Sequence, residues 1–438
     1  MLCCHSLFMS KELLKSFQEA YSNLELFPLM GEKLMEQFRV DYGDDLIADL
    51  RQLVEDSPNG DGKFVFTGHR GCGKSSLLAE FSRQVQDNFF VVLFSIADTI
   101  EMSAVNHVNI LFAIALNLMY EAEARKVQIP QTTKDKLYGW FATRTRTTEA
   151  ELGGGIEASV NLLTFLKAQL KADAKVREEI TQEFERKISD LVARINEIAA
   201  LIQFATKQEV IVIIDDLDKL DLGRVNDIYR DNIKALFQPN FRIIYTIPIS
   251  VMCDTFLWPL IGAETNYQTV VMPVIKIFAK GDNRLPDAQP RSEAKNILCE
   301  ILQKRISSEL IDKSAAEKIV VYSGGVLREL IRLGNVCCRI CLRLIRQKPG
   351  EKIVINDQII EEAIKQIRND LSLRLGRDDF EILKTTYEQF EPEDVQQQEF
   401  LELLHGLYVL EYRNDETWYD IHPILVETLR RRGLINGE

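Results

Sequence analysis

The segment Gly68-His-Arg-Gly-Cys-Gly-Lys-Ser75 has the spacing G-x-x-x-x-G-K-[ST]. Its glycines let successive backbone N–H groups turn inward around phosphate oxygens, and a helix starting at its end adds positive potential. In that arrangement Gly68, His69, Arg70, Gly71, Cys72, Gly73, Lys74, Ser75 and Ser76 form the phosphate-binding loop. Lys74 reaches the β- and γ-phosphates, and the Ser75 hydroxyl ligates Mg²⁺. A second chemical segment is Val210-Ile-Val-Ile-Ile-Asp-Asp-Leu-Asp218, an apolar run that ends in carboxylates. Asp215 is the further Mg²⁺ ligand, and Asp216 is the candidate for polarising an attacking water. Asp218 either faces the same site or starts the next turn, because neighbouring side chains diverge at a strand end.

Both segments need a sheet edge to hold them. Lys63-Phe-Val-Phe-Thr67 reads as a strand entering the glycine cluster, and a helical pattern begins at Ser75. Further strands are predicted at Phe89–Ser95, Val210–Ile214, Phe241–Ile247 and 270–278. Unbroken β-branched runs of this kind belong to a parallel sheet covered on both faces, hence to an α/β fold with flanking helices. Residues 10–60 read as two or three helices and Val108–Tyr120 as a core helix.

A long helical insertion, about 150–208, separates the second and third strands. Within it Phe184, Ile188, Leu191, Ile195, Ile198 and Ile202 continue one apolar stripe, predicting a single amphipathic helix that packs on the core or offers a partner arm. Gly281–Arg291 reads as a linker and 292–371 as wholly helical. From 377 come two helices, a hairpin formed by Tyr408–Arg413 and Trp418–His422 around Asn414-Asp415, and a last helix opened by Pro423. This order suits a winged helix. The expected organisation is a helical segment 1–37, an ATPase core 38–280, a helical lid 281–371 and a winged-helix-like domain 372–438.

The 438 residues are 46% hydrophobic and 27% charged, an ordinary globular composition that argues against a fibrous or disordered chain. With 53 Lys+Arg against 66 Asp+Glu, the net charge of −13 repels nucleic-acid backbones, so any such contact must be local. The eight cysteines lack the spacing of a disulfide-stapled domain, which points to a reducing compartment. Cys337, Cys338 and Cys341 lack a fourth ligand for a tetrahedral metal site and read as core. His405 and His422 flank the hairpin and read as structural, whereas Cys72 could make the phosphate loop sensitive to oxidation. No apolar stretch suits a bilayer span, and the first residues lack a secretory pattern, so a cytoplasmic location is expected. Met9 is an alternative start to Met1.

Gly68–Ser75 together with Ile214-Asp-Asp-Leu-Asp218 resembles the P-loop ATPases of the AAA+ and STAND type, near their origin-recognition and regulatory-switch branches. Arg242-Ile-Ile-Tyr-Thr-Ile-Pro-Ile249 resembles the sensor 1 strand of that group, which implies Thr246 beside the γ-phosphate. Ser323-Gly-Gly-Val-Leu-Arg328 resembles sensor 2, implying that Arg328 reaches the phosphates from the lid. Phe38-Arg-Val-Asp-Tyr42 lies where the group cradles adenine, although its aromatics also suit a core.

Fast AAA+ enzymes usually carry Glu where this chain has Asp216, and the shorter carboxylate suggests slow hydrolysis. The resemblance also implies an arginine finger, for which Arg230 and Arg242 are candidates alongside an ordinary surface role. Arg328, Arg332, Arg339, Arg343, Arg346 and Lys348 make 327–348 a basic helix that could meet nucleic acid, another protomer or solvent. Residues 377–438 hold six basic against fifteen acidic groups, which disfavours duplex binding and suits a protein-facing or autoinhibitory role.

The reading is an ATP- and Mg²⁺-dependent switch with slow or partner-stimulated hydrolysis, homo-oligomeric when ATP-bound. A separate effector or sensor protein would complete it, as in a bacterial defence or signalling system. A DNA-associated loader or transposition-type regulator and a non-hydrolysing adaptor using 165–206 as a partner arm are the alternatives.

Overall fold

The computed structural model describes residues 2–145, 156–285, 287–413 and 416–436. The chain divides into two compact units, one of Asp45–Thr67 and Leu77–Val271, the other of Met1–Asp44, Gly68–Ser76 and Met272–Glu438.

The first unit is built on a five-stranded parallel sheet of β1 (Lys63–Gly68), β2 (Phe89–Ser95), β3 (Glu209–Asp215), β4 (Arg242–Pro248) and β5 (Thr269–Met272), in the order β2-β3-β4-β1-β5. Its register runs Phe90↔Val210 to Ser95↔Asp215 and Ile211↔Arg242 to Ile214↔Tyr245, so the carboxyl ends of β2, β3 and β4 share one edge. β1 and β4 are buried along their whole length, as expected of strands covered on both faces. The helix His107–Ala124 is buried over most of its length, and its Asn117 amide donates to the Ala113 carbonyl at 2.8 Å, so the polar interruption is satisfied within the helix.

Two expectations need correction. The stripe through Phe184 belongs to two helices, Ala174–Phe184 and Ile188–Thr206, not to one. Lys187 N–H closes a tight turn on the Phe184 carbonyl at 2.9 Å, and the next helix starts from there. Each half turns its own apolar residues into the same core, so the stripe continues through the break: Ile180 and Phe184 on one side, Leu191, Ile195 and Ile202 on the other. That burial favours packing on the chain's own core over a partner arm. The last strand ends at Met272 and does not run on to 278, since Pro273 has no N–H to extend the ladder.

The second unit is helical, with Leu2–Asn23, Glu32–Phe38, Ser292–Gln303, Lys313–Tyr322, Leu327–Gln347 and Asp357–Ser372 as its main early elements. Phe17 and Leu24 pack with Leu330, Leu333, Cys337 and Cys341 in one core. Burial raises the thiols of Cys337, Cys338 and Cys341 above the usual range, that of Cys341 to about 12, which fits inert core residues. The expected linker after residue 280 is tied down, because Arg284 pairs with Asp420 at 2.6 Å and lies 3.6 Å over the Tyr387 ring.

After the helices Arg377–Gln389 and Gln398–His405 come β6 (Val409–Arg413) and β7 (Thr417–Ile421), an antiparallel pair with Tyr412 opposite Trp418. The expected turn at Asn414-Asp415 lies outside the described residues. Pro423 opens the helix Pro423–Arg431, where its missing N–H is not needed. Among the described residues no helix is long and apolar enough to cross a membrane.

Candidate nucleotide site

β1 delivers the glycine-rich loop, and the helix Lys74–Val85 begins at its end. Gly71 and Gly73 have φ of +79° and +109°, conformations that L side chains rarely adopt. Their neighbours leave no room either. A Cβ on Gly71 would lie 2.4 Å from the Arg328 Cβ, and one on Gly73 would lie 2.2 Å from the Tyr42 Oη.

Lys74 is buried, and its Nζ donates to the carbonyls of Gly68 and His69, each at 2.8 Å. Ser75 is half-buried in the first turn of the helix. The Ser76 Oγ accepts from the Leu29 N–H at 2.9 Å. Cys72 is only 3% exposed, so the structure closes it to solvent oxidants and counts against the oxidation expectation. In the proposed adenine segment the two aromatics part ways: Phe38 is buried under the Arg305 guanidinium, whereas Tyr42 abuts the loop, its phenol pushed above the usual range by burial first and Cys72 second.

Two distant parts of the chain hold this loop. The Arg328 N–H, at the start of the helix Leu327–Gln347, donates to the Gly71 carbonyl at 2.9 Å. The Glu411 N–H of β6 donates to His69 Nε2 at 2.7 Å. His69 is 1% exposed, and its imidazole is pushed down to about 3 by burial first, then by Lys74, Arg413 and His405. It therefore stays neutral and able to accept at physiological pH.

In the other unit Asp215, Asp216 and Asp218 are all buried, with one carboxylate oxygen from each lying within 4.8 Å of the others. Asp218 lies in the short turn Leu217–Lys219 and is also close to the other two acids, so both sequence readings of it hold. Asp216 sits in the left-handed region at φ 70°, ψ 2°. Its Oδ2 accepts from Ser95 Oγ at 2.7 Å, and its other oxygen pairs with Lys219. Thr246, fully buried on β4, accepts from the Leu217 N–H at 3.0 Å and donates to the Ile214 carbonyl at 3.1 Å. Its hydroxyl therefore spans the acidic turn. Three close carboxylates form a hard oxygen donor set suited to Mg²⁺, so the residues present fit that cation.

The predicted residues fall into two groups, each within its own unit: Gly68–Ser76 with Arg328, and Asp215, Asp216 and Asp218 with Thr246. Among the arginine candidates, Arg242 is buried at the amino end of β4, opposite the ligand edge. Its Nε donates to the Val54 carbonyl at 3.0 Å and it pairs with Glu209, so it is a structural arginine closed to a neighbouring molecule. Arg230 is exposed, 4.5 Å over the Phe256 ring. In the basic helix, Arg332 pairs with Glu329 at 3.3 Å, Arg339 donates to Gln366 at 3.1 Å and Arg343 pairs with Glu362 at 2.6 Å. His422 caps the last helix through Nδ1. The contact that sequence reasoning missed is His69 with β6, for which neither segment carries a local signal.

This is the strand, glycine loop and helix of a P-loop fold, with acids at the end of β3, which β4 separates from β1 in the same sheet. Residues 44–226 match the family described as AAA ATPase domain, a span that includes Lys74, Asp215 and Asp216 and excludes Thr246 and Arg328. No curated protein matches the chain. Among solved structures it is similar to Cdc6p from Pyrobaculum aerophilum, with 11% identity, a TM-score of 0.40, and 94% of this chain and 98% of that one covered. The Aeropyrum pernix ORC2 protein, solved as ADPNP-ADP complexes, gives 11% identity and a TM-score of 0.43, with 90% and 94% covered. The Thermotoga maritima RuvB Holliday junction branch migration motor gives 14% identity and a TM-score of 0.38, with 94% and 99% covered.

Proposed function

We propose that the chain is a slow ATPase that works as a molecular switch, with ATP bound at Gly68–Ser76 and Mg²⁺ held by Ser75 and Asp215. The cation would supply positive charge at the transferred phosphoryl group. Lys74 would exchange its two carbonyl partners for the phosphates, and Asp216 would take the proton of the attacking water. Ser95 and Lys219 already engage that carboxylate, which supports slow turnover. Thr246 positions the acidic turn through its two backbone bonds, and Arg328 would approach the phosphates from the start of its helix.

The observation that carries the switch reading is the double grip on one loop. Gly71 is bonded to the start of the helix Leu327–Gln347 and His69 to β6, so a phosphate reshaping the loop would be felt by both. ATP would thereby promote self-association or engagement of a separate effector or sensor protein. Arg332 and Arg343 of the helix Leu327–Gln347 are paired with carboxylates and the chain carries a net charge of −13, which sets the loader alternative second.

The test is phosphate release by the purified chain with Mg²⁺-ATP, with and without duplex DNA, using Lys74→Ala as the blank. Slow release indifferent to DNA and absent from the blank is expected. Strong stimulation by DNA would overturn the switch reading in favour of the loader, and release equal to the blank would leave only a binding protein.

A further inference from the structure

Within the second unit, a cavity of about 630 Å³ opens among the helices Lys313–Tyr322, Asp357–Ser372 and Pro423–Arg431. None of the phosphate-loop residues lines it. Its charge is opposite to that of the chain. Arg284, Lys365, Arg368, Arg430 and Arg431 line it against Glu361, Asp420 and Glu427, an excess of cations in a protein of net charge −13.

Two of the three acids are already engaged. Asp420 is bound to Arg284 at 2.6 Å, and Glu427 to Arg431 at 2.8 Å. The Arg430 Nε is buried and has no hydrogen-bond partner. Arg368 is half-buried, and its guanidinium is held below the usual range by burial first and by Arg431 second, with Glu427 acting in the opposite sense. Glu427 already interacts with Arg368, Arg430 and Arg431, so one carboxylate offsets only part of three positive charges, and a bound anion would offset more. Guanidinium groups also offer paired donors that match phosphate oxygens. Ile277, Ile364, Ile424 and the ring of Tyr322 add an apolar patch to the wall, beside the polar Asn283. Such a mixture of apolar surface and a few convergent polar groups, at this volume, is typical of small-molecule sites.

We propose that this cavity binds a small phosphorylated organic molecule, with Arg368, Arg430 and Arg431 on the phosphate and the apolar wall on the remainder. Gly324, in the turn that precedes the helix bearing Arg328, also lines it. A ligand here would press on the element that grips Gly71, giving the switch an input separate from ATP.

The test is isothermal titration of inorganic pyrophosphate and of 5′-AMP into the full chain and into Lys74→Ala, Arg368→Gln and Arg430→Gln variants. Binding at or below about 1 mM should persist in Lys74→Ala and weaken about tenfold in each arginine variant. The unliganded thermal midpoint of Arg430→Gln should change little, and the probe should stabilise it less than the parent. Arg368→Lys, which keeps charge without the paired donors, should fall between and guards against a folding defect in the glutamine variant. Binding abolished by Lys74→Ala but untouched by the arginine variants would assign the anion to the phosphate loop alone and overturn the proposal. Absence of binding in every protein would overturn it as well.

Discussion

In the loop Gly68–Ser76 the left-handed positions are glycines, whereas the turn after β3 holds an aspartate, Asp216, at φ 70°. Glycine takes that conformation without steric penalty; an L side chain there costs about 1 kcal/mol or more. The loop can use glycine because its work is done by backbone N–H groups and one lysine. The acidic turn cannot, since the residue in the strained position carries the carboxylate itself. Its strain is held by neighbours: Thr246 bridges Ile214 and Leu217 behind it, while Ser95 and Lys219 fix the side chain. One region is therefore shaped from within and gripped by distant segments, and the other is strained and held by its own sheet.

The largest expected effect breaks the loop's side of this contrast. Lys74→Ala should lower ATP affinity about 100-fold, because a charge-assisted contact to phosphate is lost. Fluorescence anisotropy with a labelled ATP analogue measures it, and an affinity within threefold of the parent, about 0.6 kcal/mol, would place the nucleotide elsewhere. On the acid side, Asp216→Asn should slow hydrolysis about 100-fold while ATP affinity stays nearly constant. Asparagine tolerates the left-handed region, so this variant tests the carboxylate and not the turn. Unchanged phosphate release would remove Asp216 from the base role.

Thr246→Val sharpens the idea that the acidic turn is held from behind. The variant is nearly isosteric but leaves the Leu217 N–H and the Ile214 carbonyl without their shared partner. Stability should fall by about 1–3 kcal/mol, read as a lower midpoint in chemical denaturation. ATP affinity should hold. A tenfold fall in affinity without loss of stability would put the hydroxyl on the phosphate instead.

The legible parts of the site were those written in contiguous residues. The glycine loop, the apolar strands and the acids ending β3 each fit in a short window, and backbone physics alone dictates what they form. Where the reading failed, two structures shared one pattern. The stripe through Phe184 fits one helix or two, because the turn at 185–187 keeps both apolar faces directed at the same core. Arg242 looked available on charge alone, yet its place at the amino end of β4 commits it to Val54 and Glu209. His69 and Glu411 are 342 positions apart, and only the folded chain makes them partners.

That contact gives the smallest and most specific prediction. The folded-state imidazole of His69 lies at about 3 against an ordinary value of 6.5, so as pH falls the unfolded chain takes the proton first. The stabilising contribution is complete above pH 6.5 and is lost progressively as pH falls towards 3. Protonation would also turn Nε2 from acceptor to donor, against the Glu411 N–H that it now accepts from at 2.7 Å. His69→Gln removes the titration while leaving an amide oxygen to accept that bond. Between pH 7 and pH 5 the parent's thermal midpoint should therefore drop by about 2–4 °C more than that of the variant. His422, also held below its usual value by burial, is present in both proteins and cancels in the difference. Parallel pH profiles for the two proteins would mean that β6 does not hold the phosphate loop through His69, and the double grip would reduce to the single bond from Arg328 to Gly71.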